Sequence, residues 1–190
     1  MAEPYIEGSL TKIIDHKTFF ATIDGYEQKI IAVNLDLPSR FIGDNNDEKY
    51  LPYNKQILNE IGKEGYQFSK GFFDKFKKLY IKPVPTKTIE QKTEHVIVGE
   101  IFVKNQNNDF ISYNKSVIVN GYSALKPQQE ISDDVKWFTW FNDYFFAKKH
   151  KRGLWGKFPE TMYSLYPEEP EKFQIEDPAI YKDMNLSFFK

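Results

Sequence analysis

Leu10–Leu35 reads LTKIIDHKTFFATIDGYEQKIIAVNL, and this stretch decides how the rest of the chain is understood. Leu10–Ile14 and Thr18–Ile23 are short runs rich in β-branched and aromatic residues, which favour strands. Asp15-His16-Lys17 between them is a polar turn. Asp24-Gly25 is a strong hairpin signal, because both residue types tolerate the positive φ of a tight two-residue loop. Gln28–Leu35 then supplies a third run, with Ile30, Ile31 and Val33. The stretch predicts a meander of three strands, and Pro38 stops the third because it has no N–H for a ladder.

Beyond it, 41–51 is polar and reads as a loop with Gly43-Asp44-Asn45-Asn46 at its tip. From Pro52 the apolar residues Ile57, Ile61, Phe68, Phe72 and Phe76 fall near one helical face. Gly62, Gly65 and Gly71 predict a kink or break there. Leu79–Lys82 is a short strand before Pro83 and Pro85, and 83–94 is a charged connection. His95–Lys104 alternates as a fifth strand, with Gly99 marking a bulge or barrel bend. Asn105–Asp109 reads as a turn, and Asn114–Asn120 as a short helix that Gly121 terminates. Ser132 is a natural N-cap for a longer helix, with Asp133 and Asp134 at its positive end. Trp137, Trp140, Phe141, Tyr144 and Phe145 form a buried stripe on it. Cations gather at its end, and Gly153 closes it.

The 190 residues suffice for one domain with an extension. Aromatics reach 17%, which implies extensive buried ring surface. The formal net charge of -1 gives no overall attraction to nucleic acid. Arg40 and Arg152 are the two arginines, so bidentate phosphate chemistry has few donors. Cysteine is absent, which removes disulfides, thiolate metal sites and thiol nucleophiles. Met1–Gly8 does not read as a signal peptide, and no apolar run reaches membrane-spanning length. An intracellular protein is expected.

The element order is three strands, helix, two strands, short helix and long helix. Several stretches sharpen it: Leu10–Asp15, Val33-Asn34-Leu35-Asp36-Leu37-Pro38, Val98-Gly99-Glu100-Ile101, Asn114–Tyr122, and Ala147–Trp155 with its Gly153-Leu154-Trp155 close. Together they resemble the staphylococcal-nuclease-like (thermonuclease) family over residues 8–156. The resemblance implies an α+β, mainly β fold: a five-stranded OB barrel with flanking helices, followed by an extended tail over 157–190.

That family cleaves phosphodiesters with a calcium ion on carboxylates, a glutamate acting on water, and two arginines. Charge builds on phosphoryl oxygens in the transition state, and cations stabilise it. Carried over residue by residue, the first calcium carboxylate corresponds to Lys17 and the second to Asp36. The first arginine corresponds to Ile31, the glutamate to Ser39, and the second arginine falls at or near Val96. Only Asp36 is retained, so the resemblance implies a degenerate site with no cofactor or metal.

Other candidates are weaker. Arg40, beyond Pro38, is a poor substitute for a catalytic arginine. His16, His95 and His150 lie far apart and read as solvated or locally bonded. Asp44, Asp47 and Glu48 lack calcium-loop spacing. The basic run 148–152 could touch phosphate, but helix C-termini favour such cations anyway.

The tail from Phe158 to Lys190 mixes aromatics with prolines and acids. It is too irregular for its own core and too aromatic for a solvating segment. Tyr163, Tyr166, Phe173, Tyr181, Phe188 and Phe189, with the off-stripe Phe138 and Phe146, are the candidate partner surface. The expected function is a non-catalytic accessory subunit of a larger protein assembly, and the resemblance adds a lean towards the mitochondrion. The alternatives are an OB-type module for single-stranded nucleic acid and, behind it, an active phosphodiesterase with rearranged residues.

Overall fold

Alternating inward apolar residues draw the opening stretch into an antiparallel meander of β1 (Ile6–Ile13), β2 (Thr18–Ile23) and β3 (Tyr26–Ala32). The structure is a computed structural model that describes residues 5–84, 96–126 and 134–168, without the side chains of 134–139. Asp15 makes the first turn: its Oδ1 accepts from the backbone N–H of Lys17 at 2.9 Å and of Thr18 at 2.7 Å. Asp24 and Gly25 make the second, with φ of 50° and 85°, the signs a type I′ hairpin demands.

The third strand ends at Ala32, earlier than its composition suggests. Asn34, at φ 60°, turns the chain, and Leu35–Asp36 (β4) pairs instead with Ala124–Leu125 (β8). Then come α1 (Lys55–Phe73), β5 (Lys78–Pro83) and β6 (Val96–Lys104). The strand order is β3-β2-β1-β5-β6, and β6 returns to pair in parallel with β3, from Lys29 opposite Val96 to Ala32 opposite Gly99. The result is a closed, mixed, five-stranded barrel with helices around it, an α+β, OB-like architecture.

Two glycines carry the barrel's nearest helix. α1 runs unbroken through Gly62 and Gly65, so the expected kink is absent. A Cβ at Gly62 would stand 2.4 Å from the Arg40 backbone nitrogen, and one at Gly65 2.5 Å from the Leu37 Cδ1. The glycines serve close approach between α1 and the segment after β4, and they leave the helix intact. Asn54 caps it, accepting from the N–H groups of Gln56 and Ile57.

β7 (Phe110–Ser112) leads directly into α2 (Tyr113–Val119). Buried Asn114 explains why the short helix sits where it does: its amide donates to the Val33 carbonyl, and its oxygen accepts from the Ile101 N–H, both at 2.9 Å. One side chain thus ties α2 to β6 and to the end of β3. Tyr113 is the aromatic hub, packed edge-on or tilted against Phe19, Phe72 and Phe73.

α3 (Asp134–Lys149) buries Trp140, Tyr144 and Phe145, as its stripe predicts. It also buries Phe146, Ala147 and Lys148, so its second half is covered nearly all round. α2 and β8 pack along it, and two short helices, α4 (Leu154–Lys157) and α5 (Pro159–Leu165), add to the cover, with Trp155 and Met162 fully enclosed. Pro159 opens α5, where its missing N–H costs nothing. The segment after residue 156, expected to lack a core of its own, begins as part of this domain's core. No helix among the described residues is long and apolar enough to cross a membrane.

Candidate functional site

The turn after β1, the end of β3 and the segment after β4 meet where the resemblance puts the degenerate site. Lys17 lies beside β3, since its carbonyl accepts from the Ala32 N–H at 2.7 Å. Ile31 stands between Thr18 on β2 and Val98 on β6, its side chain half-buried. Val96, two residues before Val98, is also half-buried. The two positions that would carry guanidinium groups therefore present hydrocarbon.

Asp36 is held by β4, and its side chain is largely enclosed. Its backbone N–H donates to the Ser123 Oγ at 3.2 Å. Its carboxylate is ion-paired with the Lys49 ammonium, which is the partner the sequence did not announce. Lys49 comes from a polar loop without periodicity, and only the fold brings it to Asp36. Ser39 has a structural task. Its N–H donates to the Asn45 Oδ1 at 2.7 Å, and its hydroxyl bonds the Asp44 carboxylate at 3.1 Å, closing the loop after Pro38.

His16 corrects an expectation. Its place in a polar turn predicts a solvated or locally bonded ring, yet it is almost completely buried, and its Nε2 has no hydrogen-bond partner among the described residues. Gly65 lets α1 close over it, with 3.2 Å from an imagined Cβ there to the His16 Cβ. Burial pushes the imidazole pKa down to about 4, with Lys17 adding to the fall, although neighbouring Asp15 and, more weakly, Asp36 pull it the other way. His16 is neutral near pH 7 and adds no cation to the site. Arg40 is engaged as well. Its Nε donates to the Ile14 carbonyl at 2.6 Å, and its guanidinium lies between the Phe41 and Tyr66 rings, 4.3 and 4.1 Å from their centroids.

Tyrosines wall the Asp36 pocket. Tyr50, Tyr144 and Tyr166 are all buried, and burial, with the Asp36 charge contributing, holds each phenol neutral well above its ordinary range. Tyr166 belongs to the segment after α5. The Lys49 ammonium lies 4.7 Å from its ring centroid, and Tyr53 bonds Ser164 at 2.8 Å. The start of the former tail is thus packed against the pocket.

Of the residues offered as a partner surface, Phe146 is 6% exposed and Tyr166 4% exposed. Both are enclosed by the chain itself. Tyr163 is half-buried and donates its hydroxyl to the Lys148 carbonyl at 2.7 Å. The Phe138 side chain and Phe173, Tyr181, Phe188 and Phe189 lie outside the described residues, as does His95.

The basic run 148–152 divides in two. Lys148 turns inward, 5% exposed, and donates to the carbonyls of Tyr166 and Glu168, each at 2.6 Å. The rings of Trp155 and Tyr163 stand 5.2 and 5.3 Å from its nitrogen. His150 and Lys151 stay exposed and, with Arg152, line an open cleft of about 360 Å³ that also contains Phe68, Asn120 and Tyr122. Among the described residues no three carboxylate or imidazole side chains converge as metal ligands would. No protein-family model matches this chain, and no curated protein matches it.

Proposed function

We propose that this chain is a staphylococcal-nuclease-like domain that no longer cleaves phosphodiesters and acts as an accessory subunit of a larger protein assembly. One observation carries the loss of chemistry: Asp36, the retained carboxylate, is already neutralised by Lys49. Calcium takes six or more oxygen ligands, and an ammonium on the single carboxylate, with Lys17 where the family has its other carboxylate, opposes its entry. Ile31 and Val96 leave the phosphoryl oxygens without guanidinium partners, and removing even one such stabiliser costs about a hundredfold in rate. The near-neutral composition and the ring-rich chain beyond residue 157 support a role among proteins.

Two measurements test the reading. The full chain, incubated with DNA and RNA in the presence of calcium or magnesium, is expected to cleave neither above background. Calcium-dependent cleavage abolished by Asp36→Ala would overturn the loss of activity. The tagged full chain, expressed at native level and purified from its own cells, is expected to elute in a complex with stoichiometric partners. Elution as a lone 22.5 kDa chain would overturn the accessory role.

A further inference from the structure

α1, α2 and α3 each contribute an end or a face to the cleft around Lys151. Its apolar wall is the half-buried Tyr122 ring, backed by the buried Phe68 ring stacked on it at 4.8 Å between centroids and 23° between planes. Its rim carries His150, Lys151 and Arg152, and no carboxylate is among the residues that line it. A volume of about 360 Å³ lies in the range of small-molecule pockets. Cations beside aromatic faces suit a ligand that is anionic at one end and planar at the other.

Lys151 adds an independent observation. α3 ends in a paired-bond cap: the Arg152 N–H donates to the Ala147 carbonyl at 2.9 Å, and the Lys151 N–H to the Lys148 carbonyl at 3.1 Å. Lys151 occupies the left-handed position of that cap, at φ 49°. Glycine is the usual residue there, because a Cβ strains this conformation. The chain instead keeps a lysine, whose ammonium forms no ion pair among the described residues and is exposed at the cleft rim. Strain held at a cleft edge is a mark of a functional position.

We propose that this cleft binds a nucleotide-sized phosphate ester, its phosphate held by Lys151 with Arg152 and His150, and its base against the Tyr122 ring. None of these residues is one of the degenerate nuclease positions, so the site stands apart from the reading above. The ligand chemistry is shared by a free nucleoside monophosphate and by one unit of a single strand.

The test titrates the full chain with AMP, with inorganic phosphate and with a short oligothymidylate, following backbone amide shifts. AMP is expected to bind more tightly than phosphate, to shift the amides of 120–122 and 150–153, and to weaken as salt rises. A per-site affinity higher for the oligonucleotide than for AMP assigns the ligand to a strand, and the reverse assigns it to the free nucleotide; either supports the site. Lys151→Gly is the decisive variant, because it relieves the strained φ and so preserves the fold. It is expected to weaken AMP about tenfold, the worth of one charge-assisted contact. Tyr122→Leu is expected to weaken AMP by a similar factor through lost stacking while leaving phosphate unchanged. AMP bound no better than phosphate, shifts confined elsewhere, or an unaltered affinity in Lys151→Gly would each overturn the proposal.

Discussion

The Asp36 pocket and the end of α3 are built from the same residue types, lysines among tyrosines, and they use them in opposite ways. In the pocket Asp36 and Arg40 find their answers inside the chain: Lys49 closes on Asp36, and Arg40 is bonded to Ile14 and stacked on two rings. At the end of α3 the basic run is split. Lys148 is drawn into a box of carbonyls and rings, while Lys151 is held outward in a strained conformation. Tyr166 touches both regions, its carbonyl bound to Lys148 and its ring beneath Lys49. A lysine's role is therefore set by where its counterpart lies, and sequence neighbours such as Lys148 and Lys151 can differ completely.

The largest effect expected is at the core that supports the α3 side. Trp140→Ala should cost about 3–5 kcal/mol in urea unfolding, the usual loss for an enclosed large ring. A variant as stable as the parent would mean that α3 does not pack on the barrel through Trp140.

Acid separates the two regions next. The buried His16 imidazole is held down to about 4, so between the unfolded value near 6.5 and that pH only the unfolded chain takes up the proton. Stability contributed by neutral His16 is present above pH 6.5 and is lost as pH falls to about 4, by about 3 kcal/mol in all. Asp143, on α3, runs the other way. Burial raises its carboxyl to about 6, with Lys115 at 3.6 Å offsetting part of this, so protonation relieves the folded state below that pH. Urea midpoints of the parent and His16→Gln, compared at pH 7 and pH 4, should show the variant losing less on acidification. Parallel curves would remove His16 from the acid response. Asp143→Asn should change the profile in the opposite sense, making acidification more costly.

Lys148→Ala is expected to cost about 2 kcal/mol, since the buried Tyr166 carbonyl and the part-buried Glu168 carbonyl lose their donor. Faster amide exchange over 159–166 should accompany it, because the lysine anchors that segment. Lys151→Gly, three residues on, should instead stabilise by about 1 kcal/mol through relief of the left-handed φ. A loss of the same sign and size in both variants would erase the distinction between an inward and an outward lysine.

The smallest effect belongs to Asp36→Asn. Its partner Lys49 is 40% exposed, and pairs of that kind contribute within about 1 kcal/mol. A large loss of stability would mean that the pocket is a structural keystone.

Local chemistry in the sequence determined a good deal. The Asp24-Gly25 hairpin needs only residues that accept positive φ, and the meander needs only alternation, so β1 to β3 were legible from Leu10–Leu35. The proposed loss of chemistry at Lys17, Ile31 and Ser39 rests on residue type alone. Tertiary structure decided what depends on distant partners. The parallel pairing of β3 with β6 closes the barrel across an interval no local signal spans. Gly62 sits inside an unbroken α1 because the backbone at Pro38–Arg40 passes where a Cβ would stand. Lys49 reaches Asp36, His16 is sealed beneath α1, and Lys148 turns inward while Lys151 does not. Charge and burial acquire their meaning only when packing sets which groups lie within a few ångströms, and a sequence fixes that distance only for near neighbours along the chain.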